Sequence, residues 1–225
     1  IFVKYIQKYN NYITFICKQT VANQRNFFKT GATRPLAFRK EQLQKLRAMI
    51  KENSERIVEA IYKDLRRSKD LNMQMEIGNS LATIDLCLNN LDEWAKPLKI
   101  ENHQFGEPEI QYEPKGVVLV IGAWNYPAML LIQPAAEAIA AGNTVVIKPS
   151  EVSANTSHLM KELFDKNFPK NFITVIEGAA EETLKILNER FDHIFYTGST
   201  NIGKVVMIEA AKNLTPVTLE LGGKW

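Results

Sequence analysis

The hydrophobic positions of this chain follow two different periods, and the change between them falls near residue 116. Upstream, apolar residues recur at three-, four- and seven-residue steps over 20–66, with a break at Arg34-Pro35, and again over 71–95. This spacing predicts amphipathic helices. Downstream, short runs rich in β-branched residues alternate with helical segments, a pattern typical of strands buried on both faces of a parallel sheet.

The downstream alternation predicts five strands joined by single helices. The predicted strands cover 116–121, 144–147, 172–176, 191–196 and 216–221, and the predicted helices cover 127–141, 153–166, 180–188 and 201–212. Strands joined in this way form a parallel sheet with right-handed crossovers. The expected fold class is therefore α/β, a doubly wound parallel sheet preceded by an α-helical N-terminal segment.

The chain is organised around the strand–helix–strand unit at 116–149. Pro127 opens its helix and Gly142 ends it. The loop before Pro127 carries one polar side chain, Asn125, between two aromatic residues. Such a loop lies at the edge of the sheet where open α/β folds bind their ligands.

Four segments are expected along the chain. Residues 116–225 form the α/β region, 96–115 form a connector with a short strand or two, and 18–95 form helices that pack on the α/β region. Residues 1–17 are apolar but interrupted by polar residues, too short and too polar for a membrane span. They lack the cleavage site of a signal peptide. We expect an extra leader of unknown role, with a surface helix or a targeting remnant as the alternative.

Composition narrows the classes of function. The chain has 225 residues, a formal charge of +3 and two cysteines, Cys17 and Cys87. The small charge gives no reason to expect nucleic acid as a partner, and two isolated cysteines do not make a disulfide framework. We expect Cys87 to be a buried structural thiol, His103 an exposed loop residue and His193 a packed or hydrogen-bonded strand residue.

The junction at Gly198–Gly203 is a candidate phosphate site, although no Gly-x-Gly-x-x-Gly fingerprint follows the first strand. A helix N-terminus there offers backbone N–H groups to a pyrophosphate, and Ser199 can add a hydroxyl donor. The alternative is an ordinary capped helix, because serine and threonine are preferred caps.

Lys148 and Glu151 follow the second strand and form a candidate diol site. The carboxylate can accept hydrogen bonds from ribose hydroxyls, and the ammonium group can donate to them. The alternative is a solvent-exposed lysine beside a glutamate that is favoured near a helix N-terminus.

Two further side chains can carry chemistry. The amide of Asn125 suits a donor to an oxygen that becomes negative during acyl chemistry, or it holds the turn by local hydrogen bonds. Glu220 interrupts an apolar strand just before Gly222-Gly223, so its carboxylate is either solvated or directed into a site.

The chain resembles the aldehyde dehydrogenase superfamily, and most closely its class 3 branch for fatty and aromatic aldehydes. The resemblance runs from about Gln24 to Lys224 and rests on four motifs in order. They are Gly122-Ala-Trp-Asn-Tyr-Pro127, Val146-Ile-Lys-Pro-Ser-Glu151, Phe195-Tyr-Thr-Gly-Ser-Thr200 and Leu219-Glu-Leu-Gly-Gly-Lys224.

This resemblance implies a role for each candidate residue and a Rossmann-like sheet. Asn125 takes the place of the oxyanion donor, and Glu220 that of the general base that activates water. Lys148 and Glu151 match the contacts to the adenosine ribose. The implied cofactor is NAD or NADP, and no metal is implied. The cofactor-binding set is Ile121, Trp124, Lys148, Glu151, Gly198, Ser199, Leu221 and Gly222.

The implied reaction oxidises an aldehyde to a carboxylic acid through a thiohemiacetal and a thioester, and it needs a nucleophilic cysteine. In the family that cysteine follows the fourth motif, in a separate catalytic domain. Neither Cys17 nor Cys87 sits in a matching motif. We therefore expect the N-terminal, cofactor-binding portion of the enzyme, truncated before the catalytic domain and inactive alone.

The resemblance also implies partners and a location. The implied substrate is a small-molecule aldehyde. The full-length protein is expected to form a homodimer, with 96–115 contributing to a β arm used in dimerisation. The expected location is the cytoplasm. The cytosolic face of the endoplasmic reticulum membrane is the alternative location, since some class 3-like members anchor through their C-terminus.

Three other functions compete with the enzyme. One is a non-catalytic NAD(P)-binding short isoform, and another is an interaction partner of a full-length subunit. The third, an acyl reductase of related fold, would lack the Glu220 base.

Overall fold

The computed structural model describes the backbone of residues 2–101 and 106–223, with side chains from residue 13 onward. His103, Lys224 and Trp225 therefore lie outside the described residues. The helices are α1 (Phe2–Lys29), α2 (Leu36–Glu52), α3 (Ser54–Leu65), α4 (Lys69–Asn72), α5 (Asn79–Trp94), α6 (Met129–Ala140), α7 (Ala154–Asn167), α8 (Ala180–Leu187) and α9 (Thr200–Ala211). The strands are β1 (Leu98–Lys99), β2 (Glu109–Ile110), β3 (Val117–Ile121), β4 (Thr144–Lys148), β5 (Ile173–Val175), β6 (His193–Gly198) and β7 (Val217–Leu221).

Five parallel strands form the central sheet in the order β5-β4-β3-β6-β7. From β3 the chain winds outward through β4 to β5, then crosses back and continues on the other side with β6 and β7. The strands on either side of this switch point are β3 and β6, and their register pairs Ile121 with Tyr196. The expected doubly wound α/β fold is confirmed.

Two apolar layers cover the two faces of the sheet. Every residue of β3 is buried, and successive side chains alternate between the layers. Val118 and Val120 face a core built with α2, α3, α5, α6 and α7. Val117 and Leu119 face a smaller core built with α1, α8 and α9. This double burial explains why the strands are apolar runs without alternation.

Helix α1 packs on the face of the sheet opposite to α2, α3 and α5, except at its C-terminal end, where Phe27 packs against the larger core. Its Cys17 and Val21 are buried in the smaller core, and Gln24 Nε2 donates a hydrogen bond of 2.8 Å to the carbonyl of Val145. The expected boundary after residue 17 falls inside this continuous helix. A separate role for residues 1–17 stays a prediction. None of the described helices combines the length and apolar character needed to cross a membrane.

The helical region is broken at two places that the hydrophobic period did not predict. Asn53 separates α2 from α3, because its side-chain amide donates to the Met49 carbonyl at 2.9 Å and competes with the helical backbone. The region predicted as one helix over 71–95 contains a π-helical segment at Met73–Gly78, between α4 and α5. In the connector, β1 pairs with β2 in antiparallel fashion, as the expected short strands.

Candidate functional site

A groove of about 1110 Å³ opens where β3, β4, β6 and β7 end. The last residues of these strands, Ile121, Lys148, Gly198 and Leu221, all line it. The other six residues predicted for the site line the same groove. They are Trp124, Asn125, Glu151, Ser199, Glu220 and Gly222. Residues from four separate motifs thus meet in one place, because the carboxyl ends of parallel strands share one edge of the sheet.

Lys148 is almost entirely buried, with 2% of its surface exposed, so the alternative of a solvent-exposed lysine is wrong. Its Nζ donates to the Pro149 carbonyl at 2.5 Å and lies 3.6 Å from Glu151 Oε2. Burial lowers the pKa of Lys148, and the nearby carboxylate of Glu151 opposes that shift. The result is a cationic donor fixed at the groove wall, next to a half-exposed carboxylate acceptor.

The N-terminus of α9 opens onto the groove beside Gly198. Ser199 is its N-cap, since its Oγ accepts a long hydrogen bond of 3.4 Å from the Ile202 N–H. The capped-helix interpretation therefore holds, and it is compatible with a ligand at the same end. A Cβ at Gly198 would lie 2.2 Å from Tyr196 Oη and 2.7 Å from its Cζ, so any other residue here would force the Tyr196 ring to move.

Asn125 presents a free amide to the groove. Among the residues that the structure describes, its side chain makes no hydrogen bond, so the interpretation as a turn-holding residue fails. The loop is held from outside, because Arg67 Nη1 donates to the Asn125 carbonyl at 2.8 Å. Trp124 is half exposed on the same wall.

Glu220 lies on the last strand of the sheet, in register with Thr197 of β6. It is exposed to the groove and has no hydrogen-bond partner among the described side chains. Thr197 Oγ1 is buried and likewise has no partner within the described ranges. The carboxylate is therefore available to a ligand or to water in the groove.

Both cysteines are buried, as expected for Cys87, and neither lines the groove. Burial raises the pKa of each thiol to about 11, so both remain protonated at neutral pH. His193, expected as a hydrogen-bonded strand residue, has Nε2 3.1 Å from Thr218 Oγ1. Within 2–101 and 106–223, no group of three or more acidic, histidine or cysteine side chains is arranged to hold a metal.

Sequence reasoning missed the residues that support the groove from the N-terminal helices. Glu76 is fully buried and pairs with Arg67. Gln133, on the groove wall, donates to Thr83 Oγ1 at 2.8 Å. A signal for Glu76 did exist, since it lies on the buried stripe that continues through Ser80, Ile84, Cys87 and Leu91.

The fold is a doubly wound α/β fold, and the groove lies at the switch point of its sheet, where folds of this class bind their ligands. The chain belongs to the aldehyde dehydrogenase family, whose model matches residues 6–225. The match begins at residue 6, whereas the resemblance judged from the sequence motifs begins only at about Gln24.

Relatives of the class 3 type cover nearly the whole chain. The chain is 50% identical over 210 residues to aldehyde dehydrogenase family 3 member A2 of Macaca fascicularis, covering 92% of this chain and 43% of the relative. It is 49% identical over 207 residues to the dimeric NADP-preferring aldehyde dehydrogenase of Mus musculus, covering 91% and 46%. The chain thus spans less than half the length of these relatives.

Solved structures share the fold. A substrate-bound structure of Staphylococcus aureus AldH matches with a TM-score of 0.90 and 42% identity, covering 92% of this chain and 46% of that one. The P. syringae AldA indole-3-acetaldehyde dehydrogenase, in complex with NAD+ and IAA, matches with a TM-score of 0.84 and 25% identity, covering 93% and 43%.

Proposed function

We propose that this chain is the cofactor-binding part of an enzyme that oxidises aldehydes to carboxylic acids with NAD(P)+. One observation carries the proposal: the Lys148–Glu151 pair, the Asn125 amide and the Glu220 carboxylate line a single groove. Family membership supports the same reaction class.

The described residues fit a dinucleotide. Lys148 and Glu151 supply a donor and an acceptor for a ribose diol, and the N-terminus of α9 supplies a positive dipole end for a pyrophosphate. Gly222 leaves open space, because a Cβ there would meet no atom within 4 Å. When bound, NAD(P)+ supplies the acceptor for the hydride of the aldehyde.

Asn125 acts on the substrate oxygen. As a nucleophile adds to the aldehyde, charge develops on that oxygen, and the Asn125 amide donates a hydrogen bond to it. The amide makes no hydrogen bond with other described residues, so none has to be broken to form this contact.

Glu220 acts as the general base for hydrolysis. Its unpartnered carboxylate at the end of β7 can take a proton from a water molecule in the groove. A base at this position favours release of a free acid, and it argues against an acyl reductase.

The nucleophile is not among residues 1–225. The only cysteines of this sequence are Cys17 and Cys87, both buried with a pKa near 11 and both away from the groove. We therefore propose that the 225-residue chain alone binds NAD(P) without dehydrogenase turnover. This is also the second candidate function, that of a non-catalytic nucleotide-binding module.

The test combines binding with turnover. Titration calorimetry of the 225-residue chain with NAD+ and NADP+ is expected to give saturable binding that Lys148→Met weakens about tenfold or more, through loss of a charge-assisted hydrogen bond. Lys161→Met is the matched control, since Lys161 pairs with Asp165 outside the groove.

Turnover is measured as NAD(P)H formation from a medium-chain aldehyde, with the full-length natural protein beside the 225-residue chain. We expect turnover only in the full-length protein. Turnover by the short chain would contradict our assignment of the nucleophile. Absence of NAD(P) binding in both proteins would contradict the proposed function itself.

The assembly follows from the same proposal. We propose a homodimer of the full-length protein, supported by the description of the mouse relative as dimeric. Light scattering of the full-length protein tests this, and a monomeric mass across micromolar concentrations would contradict it.

A further inference from the structure

We propose that Arg67 and Glu76 form a brace that positions the Asn125 amide for its contact with the substrate oxygen. The inference rests on the proposed function for the role of Asn125, whereas the brace itself rests on contacts among described side chains. Both residues are positioning residues, since neither lines the groove.

Arg67 contacts the loop that precedes α6 at Asn125 and Tyr126. Its Nη1 donates to the Asn125 carbonyl at 2.8 Å, and its Cζ lies 4.7 Å from the centroid of the Tyr126 ring. One guanidinium group thus contacts both residues of the 125–126 peptide. This fixes the orientation of that peptide, and with it the direction in which the Asn125 side chain leaves the backbone.

Glu76 binds the end of the same loop, where α6 begins. It has no exposed surface, and its Oε2 accepts hydrogen bonds from the backbone N–H groups of Ala128 at 3.1 Å and Met129 at 2.8 Å. These groups belong to the N-cap residue and the first residue of α6, where N–H groups lack partners within the helix. The carboxylate therefore caps α6 from a different part of the chain.

The contacts of Arg67 and Glu76 with the loop are connected to each other. Arg67 Nη2 makes an ion pair and hydrogen bond with Glu76 Oε1, and Arg67 Nε donates to Asn72 Oδ1. Burial raises the pKa of Glu76, while the Met129 N–H and Arg67 oppose that shift. Because each member holds another, the loop is fixed on both sides of Tyr126 without using the Asn125 amide.

Such bracing matters because a donor to a developing oxyanion acts through preorganisation. Its hydrogen-bond geometry must exist before the charge appears, and a displacement of about 1 Å can cost about 100-fold in rate. The brace also explains why Arg67 is not interchangeable with lysine. Only a planar guanidinium reaches the Asn125 carbonyl, Glu76 and Asn72 together while lying against the Tyr126 ring.

The experiment uses the full-length natural protein and its Arg67→Lys and Glu76→Gln variants. Arg67→Lys keeps a positive charge beside the buried carboxylate, so the variant does not leave that carboxylate without a cationic partner. Arg66→Lys is the matched control, since Arg66 is exposed and its guanidinium lies over Tyr62, 5.5 Å from the ring centroid.

The first readout is hydrogen exchange of the backbone amides, which does not depend on activity. We expect faster exchange at Ala128 and Met129 in both variants, and unchanged exchange at Ala141, which bonds to Glu137 at the other end of α6. Unchanged exchange at Ala128 and Met129 would overturn the brace, whatever the enzyme does.

The second readout is the single-turnover rate of acylation in a double-mutant cycle with Asn125→Ala. We expect Arg67→Lys to lower this rate about 10- to 100-fold with the Kd for NAD(P) unchanged. In the Asn125→Ala background it should cause little further loss, because the two residues act through one contact. Additive losses would overturn positioning through Asn125.

The two failures are distinguishable. If exchange responds but Asn125→Ala leaves acylation unchanged, the brace stands and the role of Asn125 in the proposed function falls. If Asn125→Ala slows acylation but Arg67→Lys and Glu76→Gln do not, the proposed function stands and the positioning role falls.

Discussion

Lys148 Nζ lies 3.6 Å from Glu151 Oε2, and the two side chains differ sharply in exposure. The lysine side chain is 2% exposed, whereas the glutamate side chain is 50% exposed. The lysine is therefore a fixed part of the wall, while the carboxylate is free to adjust to a ligand. A pair of this kind supplies one rigid and one adaptable contact for a ribose.

We predict that NAD(P) affinity falls as the pH rises, and that this fall occurs at a lower pH than it would if Lys148 had the pKa of an ordinary lysine. Burial lowers the pKa of Lys148, so its proton and its donor strength are lost at lower pH than the usual value of about 10.4. Titrations of NAD+ across the alkaline range measure this fall. Lys148→Arg, which stays protonated throughout, should remove the pH dependence even if its affinity is lower. The same alkaline fall in Lys148→Arg would contradict the assignment.

Glu220→Gln should slow hydrolysis of the acyl intermediate in the full-length protein and leave its formation intact. General-base contributions are typically about 10²–10⁴-fold in rate. Rapid-mixing measurements should then show a burst of NAD(P)H followed by slow turnover. Glu209→Gln, on α9 and paired with Lys212, is the control that should behave as wild type. Loss of the burst itself would place the role of Glu220 before hydrolysis.

Gly198→Ala should destabilise the protein and weaken NAD(P) binding. The new Cβ would lie 2.2 Å from Tyr196 Oη and 2.7 Å from its Cζ, so the ring must move. Overpacking of this kind costs about 1–3 kcal/mol in the free energy of unfolding. Urea unfolding measures the loss. Gly222→Ala is the matched control for stability alone, since its Cβ would meet no atom within 4 Å. Equal stability of the two variants would contradict the close approach at Gly198.

Stability should fall below about pH 6.5, in part through His193. Burial and the nearby Lys115 lower the pKa of His193. The unfolded chain then binds more protons than the folded chain as the pH falls through the ordinary histidine pKa of about 6.5. The free energy of unfolding therefore rises with pH in this window, by at most about 1.4 kcal/mol per pH unit for one group.

His193→Gln should flatten this slope and keep a polar side chain beside Thr218. His158→Gln is the comparison, because the side chain of His158 is largely exposed. Urea unfolding at a series of acidic pH values measures both slopes. A larger change in His158→Gln than in His193→Gln would contradict the assignment.

The sequence predicted the sheet and the rim of the groove because both follow from local patterns. Runs such as Val117–Ile121 are apolar since both faces are covered, and the polar residues that follow them mark the carboxyl edge. The burial of Lys148 could not be predicted from the sequence, because a lysine at the end of a strand is usually solvated. Its environment depends on packing around the groove.

The position of Glu76 on a buried stripe was a signal of its burial, but the partners of the Arg67–Glu76 brace were not predictable. Glu76 and Ala128 are 52 residues apart, and Arg67 and Asn125 are 58 apart. A charged residue in an amphipathic helix is ordinarily assigned to the solvated face. Only the fold brings this carboxylate to the start of another helix, where unpaired N–H groups offset its burial.

The π-helical segment at Met73–Gly78 sets the direction in which the Glu76 side chain leaves its helix. A π-helix holds one residue more per turn than its α-helical neighbours need. If the same residues were wound as a regular α-helix, one flank of the segment would turn by about 100° relative to the other, since each residue of an α-helix turns by that angle. The wider turn takes up that rotation. Glu76 lies within this turn, so the wider turn keeps the Glu76 carboxylate in phase with the loop that it supports.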